Sequence, residues 1–464
     1  MIHATALYRT AGIRALEARH ADARPPLMER AGAAVAATAC EMLGASKGPI
    51  LIVAGPGNNG GDGLVAARLL RELGYDVTVV RAASEDVPDR DWRLAIDALF
   101  GIGLTRPVEG PFAAAVALIN ALPCPVLAID IPSGLCADTG RVLGTAVKAA
   151  RTISFIAGKP GLYTLDGPDH CGEVLVDAIG VDVGEPEGRL VSPGLCHASL
   201  QPRRRNTHKG DYGSVGIVGG APGMAGAALL AGRAALNLGA GRVHVGMLER
   251  LAVDPQQPEL MLRAADDVFG LATLLAVGPG LGQSNEAGEL LRRALDSALP
   301  LVLDADALNL LAARPVLLKK VSRGDAPRVL TPHPAEAARL LGTTTEAVQA
   351  DRLAAALELA RRHRAFVVLK GCGTIVATPE GQWFINTTGN AGLASAGSGD
   401  VLTGMIAALL AQRWPPLEAT LAAVQLHGAA ADALVATGSG PMGLTAGETI
   451  ATARALLNRW IADA

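Results

Sequence analysis

Aromatic residues are scarce in this chain, at 3% of 464 residues. A core without large rings must be packed from Ala, Val, Leu and Ile, as in proteins with a parallel sheet buried on both faces. An excess of charge of either sign is missing too. Lys and Arg number 41 against 44 Asp and Glu, a net charge of −3, which excludes a strongly basic surface built for nucleic acid. No Cys-x-x-Cys occurs among the six scattered cysteines, so reduced thiols are expected in place of a zinc site or disulfide framework. A long uncharged run, residues 110–129, contains Asn120, Pro123 and Pro125. It reads as a helix, a turn and a strand, and no membrane span is expected. The first twenty residues alternate charged and apolar side chains without the apolar stretch of a signal peptide, so a cytoplasmic protein is expected. With 50% hydrophobic and 18% charged residues, disorder is excluded for most of the chain. Glycine, by contrast, is abundant: 55 residues, well above the usual share of about 7%. With no collagen period, that excess belongs in turns and ligand loops.

Residues 180–209 are rich in Pro, Gly and charge and support neither helical nor strand periodicity, which marks a linker. Domains of 1–198 and 199–464 follow. Arg203, Arg204 and Arg205 read as a solvated linker run. In the first domain a helix at 26–43 precedes strands at 50–54, 76–80, 94–99, 126–129 and 152–156, with a glycine loop and a helix at 64–73 after the first strand. In the second, strands are expected at 214–218, 242–246, 274–277, 301–303, 328–330 and 366–369, with helices at 224–238 and from Gly399, Pro416 and Ala446. Short apolar runs alternating with helical stretches predict an α/β fold with parallel, doubly wound sheets in two domains.

Three clusters sit at strand ends in the first domain. Asn58, Asn59, Gly60, Gly61 and Asp62 form the heart of a nine-residue loop with five glycines, more than a tight turn requires. Its inward N–H groups and the following helix end suit a pyrophosphate. It is neither G-x-G-x-x-G nor a Walker A loop. Asp97 precedes a second glycine loop, Gly101, Ile102, Gly103, Leu104, Thr105, Arg106 and Pro107, and Asp130 precedes Ser133 in a third. Asn59, Asp97 and Ser133 would supply hard oxygen ligands to a cation, with Asp130 facing a substrate. Each acid alone reads equally as a helix cap or loop brace. Gly44 to Gly48 matches G-x-S-x-G but precedes its strand, the reverse of a nucleophile elbow.

In the second domain, Ala225 opens a helix of small residues after a glycine turn, and Gly280 lies in a loop of exposed amides. Asp304 and Asp306 follow a strand and would either hold Mg²⁺ through water or cap a helix. His333 stands between two prolines, a rigid setting for ligand contact. Lys370, Gly371, Cys372, Gly373 and Thr374 follow a strand and would frame a nucleotide. Asn390 opens the segment in which Gly397, Ser398 and Gly399 would present an anion hole at a helix start. Asp400 is placed there to accept a proton from an alcohol attacking a phosphoryl group.

With its sequences GPGNNGGDG, DALFGIGL, DIPSGL and KPGL, the first domain resembles the NAD(P)H-hydrate epimerase family. Cys136 stands where that pattern has an aspartate. The second domain, with GMAGAALLAGRAAL, DADALN, TPHPAE, KGCGT and NAGLASAGSGDVLTG, resembles the ADP-dependent NAD(P)H-hydrate dehydratases, a ribokinase-like family. The resemblance implies a Rossmann-like three-layer sandwich joined to a ribokinase-like domain, catalysing R/S epimerisation at C6 of hydrated NADH or NADPH and then ADP-consuming dehydration of the S epimer. It assigns potassium to Asn59, Asp97 and Ser133. The damaged dinucleotide falls to residues 58–62, 101–107 and Asp130 in one domain, and to Ala225, Gly280, His333 and Asp400 in the other. The nucleotide, with Mg²⁺, falls to residues 370–374, Asn390 and 397–399. Asp130 and Asp400 are the expected catalytic groups, in a homo-oligomer with no nucleic-acid or membrane partner. The alternative is a ribokinase-like small-molecule kinase with an accessory nucleotide-binding domain.

Overall fold

The computed structural model describes residues 5–82 and 87–464. The chain folds as two compact units, one ending at Leu190 and the other running Val191–Ala464. The expected boundary at 198/199 therefore falls inside the second unit, whose core takes in Val191, Cys196 and Leu200. Polar composition hid this. The 3-10 turn Pro193–Ser199 inserts only Cys196 among its residues, and the Cys196 thiol bonds the Glu418 carbonyl.

The first unit holds six parallel strands in the spatial order Val77–Arg81, Ile50–Ala54, Leu94–Ala98, Val126–Ile129, Arg151–Phe155, Glu173–Asp177. Strand Ile50–Ala54 reads as an unbroken apolar run because both its faces are covered. Ile50 and Ile52 join one core with helices Leu27–Leu43 and Asn58–Glu72, while Leu51 and Val53 join another with Val116 and Ile119 of helix Gly110–Ala121. The chain after Ile50–Ala54 leads to Val77–Arg81 on one side and the chain after Leu94–Ala98 leads to Val126–Ile129 on the other, so a crevice opens between the carboxyl ends of these two strands, the usual ligand position in such folds. The edge strand Glu173–Asp177, absent from the sequence reading, is half-exposed and mixes charge with apolar residues.

In the second unit, parallel strands run in the order Phe366–Leu369, Arg328–Leu330, Leu301–Leu303, Leu274–Val277, Ser214–Gly219, Arg242–Met247, Met261–Ala264. Thr374–Ala377 and Trp383–Asn386 extend it antiparallel as a hairpin from Phe366–Leu369. These two strands and Met261–Ala264 are absent from the sequence reading. Helices Ala225–Asn237 and Ser398–Ala411 pack closely enough that a Cβ on Gly404 would lie 2.1 Å from the Ala231 carbonyl oxygen. Only glycine fits there, and small side chains let the two helix starts converge. Arg203 of the arginine run stacks on Tyr212 and donates to Gly239 O while staying exposed, as Arg204 and Arg205 do. Among the described helices only Pro416–Ala436 is long and apolar enough to cross a membrane, and 67% of its apolar window is buried.

Candidate functional site

In the first unit a cleft of about 390 Å³ opens at the strand ends, and Glu17, Asn59, Asp62, Asp130 and Lys159 all line it, as do residues 101–106. Pro107 does not. Residues 58–62 form no loop: the helix begins at Asn58, capped by the backbone of Gly57 and by no side chain. Glycine's poor helix propensity misled the reading. The helix is pressed against its strand so tightly that a Cβ on Gly60 would meet the Gly55 carbonyl oxygen at 2.0 Å. Gly60 and Gly61 thus serve packing, while Asn58, Asn59 and Asp62 face the cleft.

Asp97 and Ser133 come together behind the cleft. The Ser133 hydroxyl donates to Asp97 Oδ1 at 2.6 Å and its N–H to Oδ2 at 2.8 Å. Asp97 is fully buried, and burial pushes its carboxyl up to about 6 against the hydrogen bonds from Ser133 and Leu99 that favour ionisation. Asn59 makes no bond to that pair. Both polar atoms of its buried amide have no partner, and a Cβ on Gly101 would lie 3.2 Å from Asn59 Oδ1 and from Asp130 Oδ2 alike. A buried, unpartnered amide oxygen near the partly exposed Asp130 carboxylate fits a cation held by oxygen ligands.

Asp130 has φ of +68°, a conformation non-glycine residues reach at a cost, and it stands where a strand turns into the crevice. Its Oδ1 accepts from Lys159 Nζ at 2.5 Å. Lys159 is wholly buried and spends its other two protons on Ser154 Oγ and Phe155 O, both at 2.8 Å. This lysine belongs to the KPGL segment, and a charged side chain beside proline and glycine carries no local sign that it will be buried. Glu17 and Arg14, on a helix far from the glycine motifs, were also missed.

The second site gathers at the carboxyl ends of Leu301–Leu303, Arg328–Leu330 and Phe366–Leu369 and the start of Ser398–Ala411. Buried Asp304 accepts from Lys370 Nζ at 2.8 Å through Oδ1 and from Thr403 Oγ1 at 2.8 Å through Oδ2. Burial opposes the Lys370 charge, but Asp304, Glu336 and Asp400 together outweigh it and raise its pKa. Lys370 Nζ lies beneath Gly399, 3.2 Å from where a Cβ would stand. Asp400 occupies the first turn of that helix, which Gly397 begins at φ +91° without any side-chain cap. Burial, then Asp304, pushes the Asp400 carboxyl up to about 7, with Lys370 working against them. The adjoining residues 370–374 form the turn of the antiparallel hairpin.

His333 caps helix Pro334–Leu341. Its Nδ1 accepts from the N–H groups of Ala335 and Glu336, and Glu336 Oε2 accepts from the N–H of His333. Nδ1 accepts only in the neutral ring, and burial followed by the Lys370 charge lowers the imidazole pKa accordingly. His333→Ala is expected to cost the second unit about 1 kcal/mol. Because the folded-state pKa lies below 6.5, the cap's contribution is complete above 6.5 and is lost as acid protonates the ring. Urea unfolding of both forms at neutral and mildly acid pH measures this; the difference between them shrinks in acid.

Ala225 begins its helix beside the Gly280 turn, where a Cβ would lie 2.5 Å from the Met224 carbonyl oxygen. Asn390 braces its loop, accepting from Gly392 N–H and donating to Asp432 Oδ1. Asp432, forty-two residues on, gave no sequence signal. Asp306 accepts from Gly282 N–H, and with Asp304 committed to Lys370 the pair forms no ready-made metal site. Among the described residues no group of three His, Cys, Asp or Glu side chains could hold a metal.

Comparison with known proteins follows the same division. A family described as YjeF-related protein N-terminus matches residues 25–95 and 83–161, and one described as NAD(P)H-hydrate dehydratase matches 215–450. The bifunctional NAD(P)H-hydrate repair enzyme Nnr of Coxiella burnetii is 40% identical, covering 88% of this chain and 90% of its own. The protein of the same description from Escherichia coli is 38% identical, with coverage of 89% and 86%. Among solved structures, the ADP/ATP-dependent NAD(P)H-hydrate dehydratase of Bacillus subtilis, co-crystallised with ATP and Mg²⁺, is 30% identical. It superposes with a TM-score of 0.51 over 58% of this chain and 98% of its own. A ribokinase-like superfamily protein from Enterococcus faecalis, 26% identical, gives 0.52 over 60% and 98%.

Proposed function

The chain belongs to the bifunctional NAD(P)H-hydrate repair enzymes, and we propose that each of its two units carries one step of the repair. Hydration puts a hydroxyl on C6 of the reduced nicotinamide ring in either configuration. In the first unit that hydroxyl leaves and returns on the opposite face, and the lone pair of N1 stabilises the cation between. Asp130 manages the proton through Oδ2, with Oδ1 held by Lys159. The uncapped helix end at Asn58 and the loop 101–106 would grip the dinucleotide. Asn59, Asp97 and Ser133 would hold potassium; a bound ion would supply positive charge to a crevice meant for a pyrophosphate.

In the second unit the S epimer's hydroxyl oxygen attacks the terminal phosphorus of ADP, its proton passing to Asp400 and the bond to AMP breaking. The N–H groups of Gly397 and Gly399 would face the transferring group, that of Ser398 being bonded to Ser395 O, and the Lys370 ammonium beneath them neutralises Asp304. Phosphate is a far better leaving group than hydroxide; its departure from C6 and loss of a C5 proton restore NAD(P)H. Ala225, Gly280 and His333 would contact the dinucleotide, while residues 370–374 and Asn390 would frame ADP. With no acidic trio at hand, Mg²⁺ would enter on the nucleotide's phosphates. A cytoplasmic homo-oligomer acting on free dinucleotides is the setting that composition and resemblance favour.

The observation that carries this reading is Asp400 in the first turn of a helix with no side-chain cap, above the Lys370–Asp304 pair. Incubation with ADP and a mixture of R- and S-hydrated NADH is expected to restore dihydronicotinamide absorbance completely, with AMP and phosphate released one for one. Absence of recovery overturns it.

A further inference from the structure

Three carboxyls line the first unit's cleft: Asp130, Glu17 and Asp62. They are not equivalent. Asp130 is ion-paired to the buried Lys159. Glu17 has Lys159 and Arg14 close enough to lower its pKa, although burial and Asp130 raise it overall. Asp62 has neither kind of help. Among the described residues no hydrogen bond or ion pair reaches its carboxyl. The charges that act on it are those of Asp130, from the strand end, and Glu17, from the N-terminal helix. A carboxyl on a packed helix turn, facing two others with no donor of its own, holds its proton. Burial and those two neighbours push it up to about 8. A carboxyl without a donor beside one ion-paired to a lysine is the usual setting of an acid and a base.

Resting on the epimerase reading above, we propose that Asp62 is the second proton-transfer group of this site, giving its proton to the hydroxyl that leaves C6 while Asp130 receives one from the water that returns. The C6–O bond breaks with its electron pair on oxygen, which takes the Asp62 proton and becomes water. The N1 lone pair closes the N1=C6 double bond. A water on the opposite face then forms a new C6–O bond, the π pair returns to N1, and Asp130 takes the surplus proton. One proton has moved from Asp62 to Asp130. Reverse turnover, or exchange with solvent through the open cleft, resets the pair.

The test measures R/S exchange on hydrated NADH in the full chain, in water enriched in ¹⁸O. Wild type is expected to place ¹⁸O at C6 with every inversion, and its kcat is expected to fall as alkali removes the Asp62 proton near pH 8. Asp62→Asn is expected to lower kcat about 100-fold or more with KM nearly unchanged and to abolish the alkaline limb. Asp62→Glu, which keeps the acid, is expected to recover part of the rate and return the limb at a shifted pH. A kcat within threefold of wild type for Asp62→Asn, with the limb in place, overturns the assignment. So does an Asp62→Glu variant that folds and is as slow as the amide. If wild type itself exchanges no epimers, the epimerase reading falls with it, an outcome recognisable before any variant is made.

Discussion

Asp400→Asn is expected to slow nucleotide-dependent recovery of NADH by about 1,000-fold, while R/S exchange in the same molecule continues at the wild-type rate. The amide has nearly the carboxyl's shape but cannot take the proton of the attacking hydroxyl. Its structural cost is small: Asp400 caps no backbone N–H, and losing a negative charge from a helix's first turn costs about 0.3–1 kcal/mol. Retained exchange would show that the protein is folded. The pH dependence has a definite sign. Burial and Asp304 push the carboxyl up to about 7, and the base must be ionised, so kcat for dehydration is expected to climb as pH rises through 7 and level off above it. A variant within tenfold of wild type would remove Asp400 from the chemistry.

Lys159→Met is expected to act on the other unit. The wholly buried ammonium donates to Asp130, Ser154 and Phe155. Methionine fills the space but leaves a largely buried carboxylate and a buried carbonyl without their donor. Breaking a buried pair from one side costs about 3–5 kcal/mol. Amide protection across the first unit is therefore expected to fall by that amount, and R/S exchange by at least 100-fold. Dehydration of purified S epimer by the second unit is expected to be unaffected. Hydrogen exchange followed by mass spectrometry, with the second unit as internal reference, makes the measurement. Unchanged protection up to Leu190 would mean that the pair is not structural.

The two residues differ in how much of their setting the chain shows locally. The place of Asp400 was legible: an acid after Gly-Ser-Gly at a helix start is a local pattern, and the helix lies where the pattern put it. Lys159 was not, because nothing next to it in the chain indicates that Asp130, twenty-nine residues earlier, will be its partner. His333 falls between: its rigid flanks were visible, its service as a helix cap was not.

Local rules were enough for the parallel strands, since an apolar run such as Ile50–Ala54 has to be covered on both faces wherever it ends up. They were also enough for the glycine-rich turn after Asp97, though not for residues 58–62, where tight packing turned an expected loop into helix. Tertiary structure alone decided which of the cleft's acids keeps its proton and which is paired. Ionisation depends on how much water is excluded and which charges arrive from other elements, and Asp62, Asp130, Glu17 and Lys159 meet only when strands and helices distant in sequence close over one crevice.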